Sequence, residues 1–189
     1  NALASARWIA DDATKRVKEL VTTPNSDVRV ANGLFWGGMA RMTLADHFEQ
    51  VVYDGNAPIT PTKAMEDAIV LFQEAATVAS AAGNTSLAAA SHGAIARAHR
   101  AIYFDNKNEN SSDDMATFKK ASDAAKAALA ISGSYVEYAN YAPPGGTNFV
   151  YASVNASRYN RMDPKYAYLK DPVSGDIDPR IKHGPKVNN

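Results

Sequence analysis

Metal binding and proton transfer call first for histidine, and this chain has four: His47, His92, His99 and His183. His92 and His99 are seven apart, so one helix face can carry both. That separation is too long for a single metal ion without further ligands, and no His-Glu-x-x-His run is present. Both therefore read as surface or hydrogen-bonded histidines. Asp46-His47 sets a carboxylate beside an imidazole, but adjacent helical residues do not face each other. The acidic neighbours Asp11-Asp12, Glu66-Asp67 and Asp113-Asp114 are the next candidates, as general acid and base. Each falls in or near a predicted opening helical turn, where the helix dipole explains it more simply. No Gly-x-Ser-x-Gly elbow occurs, and the serines lack a local base. Gly145-Gly146-Thr147 follows two prolines, opens no helix and lacks the lysine of a phosphate loop, so it reads as a turn. There is no cysteine, which removes thiolate chemistry, disulfides and cysteine-held metal. The expectation is a non-enzyme with no catalytic, metal or cofactor residues.

Aromatic chemistry is concentrated near the end of the chain. Residues 134–189 hold six of the nine prolines and seven of the nine tyrosines, and no helical period survives there. Tyr138, Tyr141, Tyr151, Tyr159, Arg161, Tyr166 and Tyr168 are the candidate binding residues, interleaved with Asn140, Asn148, Asn155 and Arg158. Tyrosine and arginine give large contact area with a polar handle, which suits a protein interface. The same mixture suits sugars, where flat rings stack and amides bond hydroxyls. A third reading has the tyrosines packing this stretch onto the helices before it. Residues 1–133 are expected to form a helical-repeat domain, and 134–189 an irregular Tyr/Pro/Gly-rich extension packed on it.

Five helices are expected to carry these residues. Thr60 and Pro61 are a good cap and first residue. After them Met65, Ala68, Ile69, Phe72, Ala75, Ala76 and Ala79 repeat at helical spacing. Gly83-Asn84 is the corner, and Leu87, Ala88, Ser91, Ile95, Ala98, Ala101 and Ile102 mark the next helix. A first helix over 2–22 has the stripe Leu3, Ala6, Ile9, Ala10, Ala13, Val17, Leu20 and Val21. A second, over 27–50, has Val28, Ala31, Leu34, Phe35, Gly38, Met42, Ala45 and Phe48. Its Gly33, Gly37 and Gly38 each cost roughly 1 kcal/mol against alanine, which predicts close contact with a neighbouring helix. Residues 51–60 form a loop with turn signals at Asp54-Gly55 and Pro58, and 105–112 form a polar connector. A fifth helix over 113–132, capped by Ser111 or Ser112 and ended by Gly133, has the face Met115, Phe118, Ala121, Ala125, Ala128 and Leu129.

The bulk properties narrow the partners. Twenty basic and twenty acidic residues cancel, which removes the electrostatic footprint of a nucleic-acid binder. No apolar run is long enough to span a membrane. The chain starts at Asn1 without a signal-like stretch, so it reads as a processed mature chain or a fragment. Asn-x-Ser sequons at Asn84, Asn110 and Asn155 are near the chance level in so Asn- and Ser-rich a chain.

Two helices share a spacing: Ala68-x3-Phe72-x2-Ala75 and Ala121-x3-Ala125-x2-Ala128. It resembles the second helix of a tetratricopeptide repeat, with Gly93 where the first helix has its small residue. A further ordered series of segments runs from Leu44-Ala45-Asp46-His47-Phe48-Glu49 through Val51-Val52-Tyr53-Asp54-Gly55 to Ala57-Pro58-Ile59-Thr60-Pro61-Thr62. Then come Ala64-Met65-Glu66-Asp67-Ala68-Ile69-x2-Phe72, Ala88-x7-Ala96-Arg97-Ala98, Ile131-Ser132-Gly133-Ser134-Tyr135 and Asp178-Pro179-Arg180-Ile181. In this order the series resembles the SusD/RagB-like outer-membrane nutrient-binding family. The chain is much shorter than family members and is similar to their repeat core alone. The resemblance implies an all-α fold of degenerate tetratricopeptide-like hairpins. It also implies an extracytoplasmic location, in the periplasm or at the outer-membrane surface of a Gram-negative-type bacterium. The leading expectation is a scaffold and accessory subunit acting by protein–protein interaction on the outward face of a membrane protein complex. Capture of a glycan or small nutrient for an uptake system is the alternative, and a cytoplasmic repeat adaptor a third.

Overall fold

Helix starts in this chain are set by short polar side chains. Asp27 accepts from the Arg29 amide at 2.8 Å, Thr60 from the Lys63 amide at 3.2 Å, and Asn84 from the Leu87 amide at 3.0 Å. A computed structural model describes residues 2–110 and 114–133, and it is all-α there. α1 is Ala2–Leu20, α2 Val28–His47, α3 Pro61–Ala81, α4 Thr85–Asn110 and α5 Met115–Ile131, with a single 3-10 turn at Pro24–Ser26. The sequence-predicted binding residues Tyr138, Tyr141, Tyr151, Tyr159, Arg161, Tyr166 and Tyr168 lie outside the described residues, as does the 134–189 extension.

Each helix packs on the next in the chain, α1 on α2, α2 on α3, α3 on α4 and α4 on α5. α2 and α4 also touch, and on the other side Lys18 of α1 pairs with Glu74 of α3 at 2.6 Å. The result is a two-layer zigzag that is tighter on the α2/α4 side. Between these helices lie two apolar clusters. One centres on Met42, Leu44, Val51, Met65, Phe72, Ile95, Ala98 and Ile102, the other on Val30, Leu34, Val78 and Ala88. The α3 stripe is buried at all seven expected positions, and Phe72 is fully enclosed. Gly83 takes a left-handed φ of 72° and turns the chain from α3 into α4.

The α2 glycines explain how closely the helices approach. A Cβ on Gly38 would lie 2.6 Å from the Phe72 ring, and one on Gly33 would fall onto Thr14 Oγ1. α1 therefore seats on one glycine and α3 on another, and the expected need for close contact is met.

Several boundaries and faces differ from expectation. α2 stops at His47, leaving Phe48 41% exposed. The polar stretch after Phe104 continues α4 to Asn110 instead of forming a connector. Once a helix is nucleated, each added residue brings a further hydrogen bond, and this outweighs modest propensity. α5 is capped by Asp114, whose carboxylate takes the Thr117 amide at 3.1 Å, rather than by Ser111 or Ser112. Its buried face is Thr117, Ala121 and Ala128, and Ala125, Met115, Phe118 and Leu129 are exposed. The largest correction is α1. Its Ile9 and Leu20 are 58% and 84% exposed, and its buried positions are Arg7 and Thr14. The loop before α3 is pinned by an antiparallel bridge between Val51 and Ile59.

Candidate functional site

The burial of Arg7 follows from what α2 and the α2–α3 loop bring to it. Arg7 Nη1 donates to Asp11 at 2.8 Å, one helical turn along, and its Nη2 donates to Asp54 in the loop. Arg41 of α2 forks onto the same Asp11, with both bonds at 2.8 Å, and also donates to the Gly37 carbonyl. Paired N–H donors matched to both carboxylate oxygens fix geometry as well as charge. Tyr53 closes the cluster. The guanidinium carbons of Arg7 and Arg41 sit 5.1 and 5.4 Å from its ring centroid. Its hydroxyl is buried without a hydrogen-bond partner among the described residues. Burial pushes the Tyr53 phenol above its ordinary range, with Arg41 pulling the other way.

Asp54 reaches Arg7 because of the turn that holds it. Asp54 and Gly55 both have positive φ, 53° and 76°, and the Asn56 amide donates to the Tyr53 carbonyl at 2.9 Å. Two left-handed central residues make a tight turn that Asp and Gly both tolerate. Two arginines and two aspartates leave this knot neutral. It ties α1, α2 and the loop together.

The tighter side of the zigzag offers a different surface. Phe35, Met39 and Met42 of α2 face Ala90, Gly93 and Ala94 of α4 across an apolar groove of about 210 Å³. Beside it Trp36 is 59% exposed, edge-on to Phe35 at 5.5 Å. The rim is closed by Arg97 on Asp46 at 2.5 Å, joining α4 to α2. Met39 at the surface of the groove and a half-exposed indole can accept apolar side chains of varied shape, while Met42 forms the buried floor.

His47 is exposed, with Nδ1 2.8 Å from the Thr43 carbonyl. Burial, aided by Lys120, holds His99 below its ordinary pKa. His92 lies half-buried on α4, and His183 is outside the described residues. Among the described residues no three metal-ligating side chains converge. Asp11 and Asp12 are mid-helix, not in an opening turn: Asp11 serves the knot, and Asp12 pairs with Arg16 at 2.8 Å. Asp67 pairs with Lys63 at 2.7 Å. Sequence reasoning missed Arg7, Arg41, Asp54 and Tyr53 as a group. One local signal was there, the Arg7/Asp11 spacing of four on the helix face that also carries Thr14.

Comparison of the chain with protein-family models, with curated proteins and with solved structures finds no match.

Proposed function

We propose that this chain is a non-enzymatic helical scaffold that binds a protein partner along the α2/α4 face. The observation that carries this reading is the apolar groove of Phe35, Met39, Met42, Ala90, Gly93 and Ala94 beside the exposed Trp36. Stacked helical hairpins use such inner faces as extended binding surfaces. In this reading the zigzag is a short run of degenerate tetratricopeptide-like hairpins, allied to the repeat core of the SusD/RagB-like family. The ordered segments around Ala57-Pro58 and Asp178-Pro179-Arg180 support that alliance. The partner is then a subunit of a membrane protein complex, met on its outward, extracytoplasmic face.

A photo-crosslinking amino acid at position 36 tests this in the envelope fraction of the source cells. The expected result is one discrete adduct with a membrane-complex subunit, lost when Met39→Asp is added. A chain that forms no adduct, yet responds saturably to oligosaccharides through its tryptophan fluorescence, would be a capture protein instead.

A further inference from the structure

The outward end of the Arg7 knot opens into a cleft of about 430 Å³, lined by Ala4, Ser5, Arg7, Trp8, Ile9, Val52 and Asp54. Three of its walls are large apolar side chains left in water, with Trp8 54%, Ile9 58% and Val52 48% exposed. They do not belong to the α2/α4 groove. The charges of the knot are unevenly placed. The Arg7 side chain is only 7% exposed, whereas that of its partner Asp54 is 54% exposed. The negative end therefore faces the cleft and the positive end is enclosed. Asp54 Oδ1 accepts from Arg7 Nη2, and its Oδ2 carries no hydrogen bond or ion pair among the described residues.

We propose that this cleft is a docking pocket for an arginine side chain of a protein partner. An apolar wall ending in a free carboxylate oxygen matches a side chain with an aliphatic stem and a cationic head. The indole of Trp8 favours guanidinium over ammonium, because guanidinium is planar, weakly hydrated and stacks on aromatic faces. Asp54 supplies a charge-assisted bond at the head, while Ile9 and Val52 cover the stem. The partner-docking reading is needed only for the source of the arginine. The pocket's preference can be read without the partner.

The test uses the full chain and two small probes, N-acetyl-arginine amide and its neutral isostere N-acetyl-citrulline amide. The indole N–H resonances of Trp8 and Trp36 are followed by NMR, with Trp8→Phe giving the assignment. The expected result is a saturable shift of the Trp8 signal with the arginine probe, and binding roughly ten-fold weaker with citrulline. That ratio combines a half-exposed ion pair with a cation–π contact. Asp54→Asn keeps the left-handed turn, which asparagine also tolerates, and should reduce arginine binding to the citrulline level. Equal shifts with the two probes, no Trp8 shift at all, or unchanged binding in Asp54→Asn each overturn the proposal. Failure here leaves the α2/α4 face untouched, since that face is read at position 36.

Discussion

At Gly38 a single methyl group should break the contact between α2 and α3. The added Cβ would lie 2.6 Å from Phe72 Cε1 and 2.9 Å from Cδ1 and Cζ. Carbon atoms are comfortable at about 3.5–4.0 Å, so either the ring turns or the helices separate. The ring has little room to turn, because Phe72 is fully buried and lies against Phe35 at a centroid distance of 5.7 Å. Overpacking costs about 1–3 kcal/mol, and contact with three ring atoms at once puts Gly38→Ala at the upper end. Alanine returns about 1 kcal/mol of helix propensity. The net expected loss is about 2 kcal/mol, or roughly 4–8 °C in Tm. Gly37→Ala is the control: its Cβ would meet Asp11 Oδ1 at 3.2 Å and Leu71 Cδ1 at 3.5 Å, contacts that small adjustments relieve. It should stay within about 0.5 kcal/mol of the parent, since propensity gain and crowding nearly cancel. Urea denaturation followed by circular dichroism measures both. Phe72→Leu in the Gly38→Ala background should recover part of the loss, with a coupling of about 1 kcal/mol. A Gly38→Ala chain as stable as the parent, with no such coupling, would refute the reasoning.

Three further outcomes follow from the knot and the core. Tyr53→Phe removes a buried hydroxyl without a partner, so stability should hold or rise by about 1 kcal/mol; a clear loss would show that the hydroxyl is bonded. Arg7→Ala leaves Asp54 without its cation and takes one of two from Asp11. Both carboxylates are partly wet, so the expected loss is about 2 kcal/mol by denaturation, below the full cost of breaking an enclosed pair. His99 has its pKa lowered, mainly by burial, so protonation favours the unfolded chain. Its contribution is complete above about pH 6.5 and falls as the pH is lowered through that value toward the depressed folded pKa. His99→Gln should flatten that part of the stability–pH curve, and an unchanged slope would assign it to another group.

The α3/α4 hairpin was legible in sequence because each of its signals is local. Thr60, Pro61, Gly83 and Asn84 act within one turn, and the α3 stripe has a single apolar face to bury. The glycines of α2 were legible for a similar reason, since their unfavourable propensity has to be offset by contact. The knot was not legible, because it joins Arg7 to a loop 47 positions away and Asp11 to an arginine 30 away. No local rule pairs residues at such separations. The Asp114 cap was obscured by competition, as Ser111, Ser112 and Asp113 are equally capable caps just before it. The α5 face was misread because its apolar positions outnumber those that α4 covers.

α1 carries the deeper ambiguity. Ala6, Ile9, Ala13 and Leu20 make one apolar stripe, and Leu3, Ala10, Val17 and Val21 make another. Area alone does not choose between them, yet the second is turned inward and the first is largely in water. What chooses is polar: Thr14 against Gly33, and Arg7 and Asp11 against Arg41 and Asp54. Ion pairs in such places contribute little net stability, and their better-attested use is to fix register. Replacing the trio with apolar residues of similar size, Arg7→Met, Asp11→Leu and Arg41→Met, should separate the two roles. Stability is expected to stay within about 1 kcal/mol of the parent. The orientation of α1 should become mixed, because both stripes can then seat on α2. Trp8 reports this, since it shares a cleft with Val52 of the α2–α3 loop and rotation of α1 about its axis changes that neighbourhood. Its indole resonance should broaden or double in the triple variant, and amide exchange in α1 should quicken while α3 keeps its protection. A single sharp Trp8 signal at the parent position would mean that Thr14 and Gly33 set the register by shape, with the charges only following.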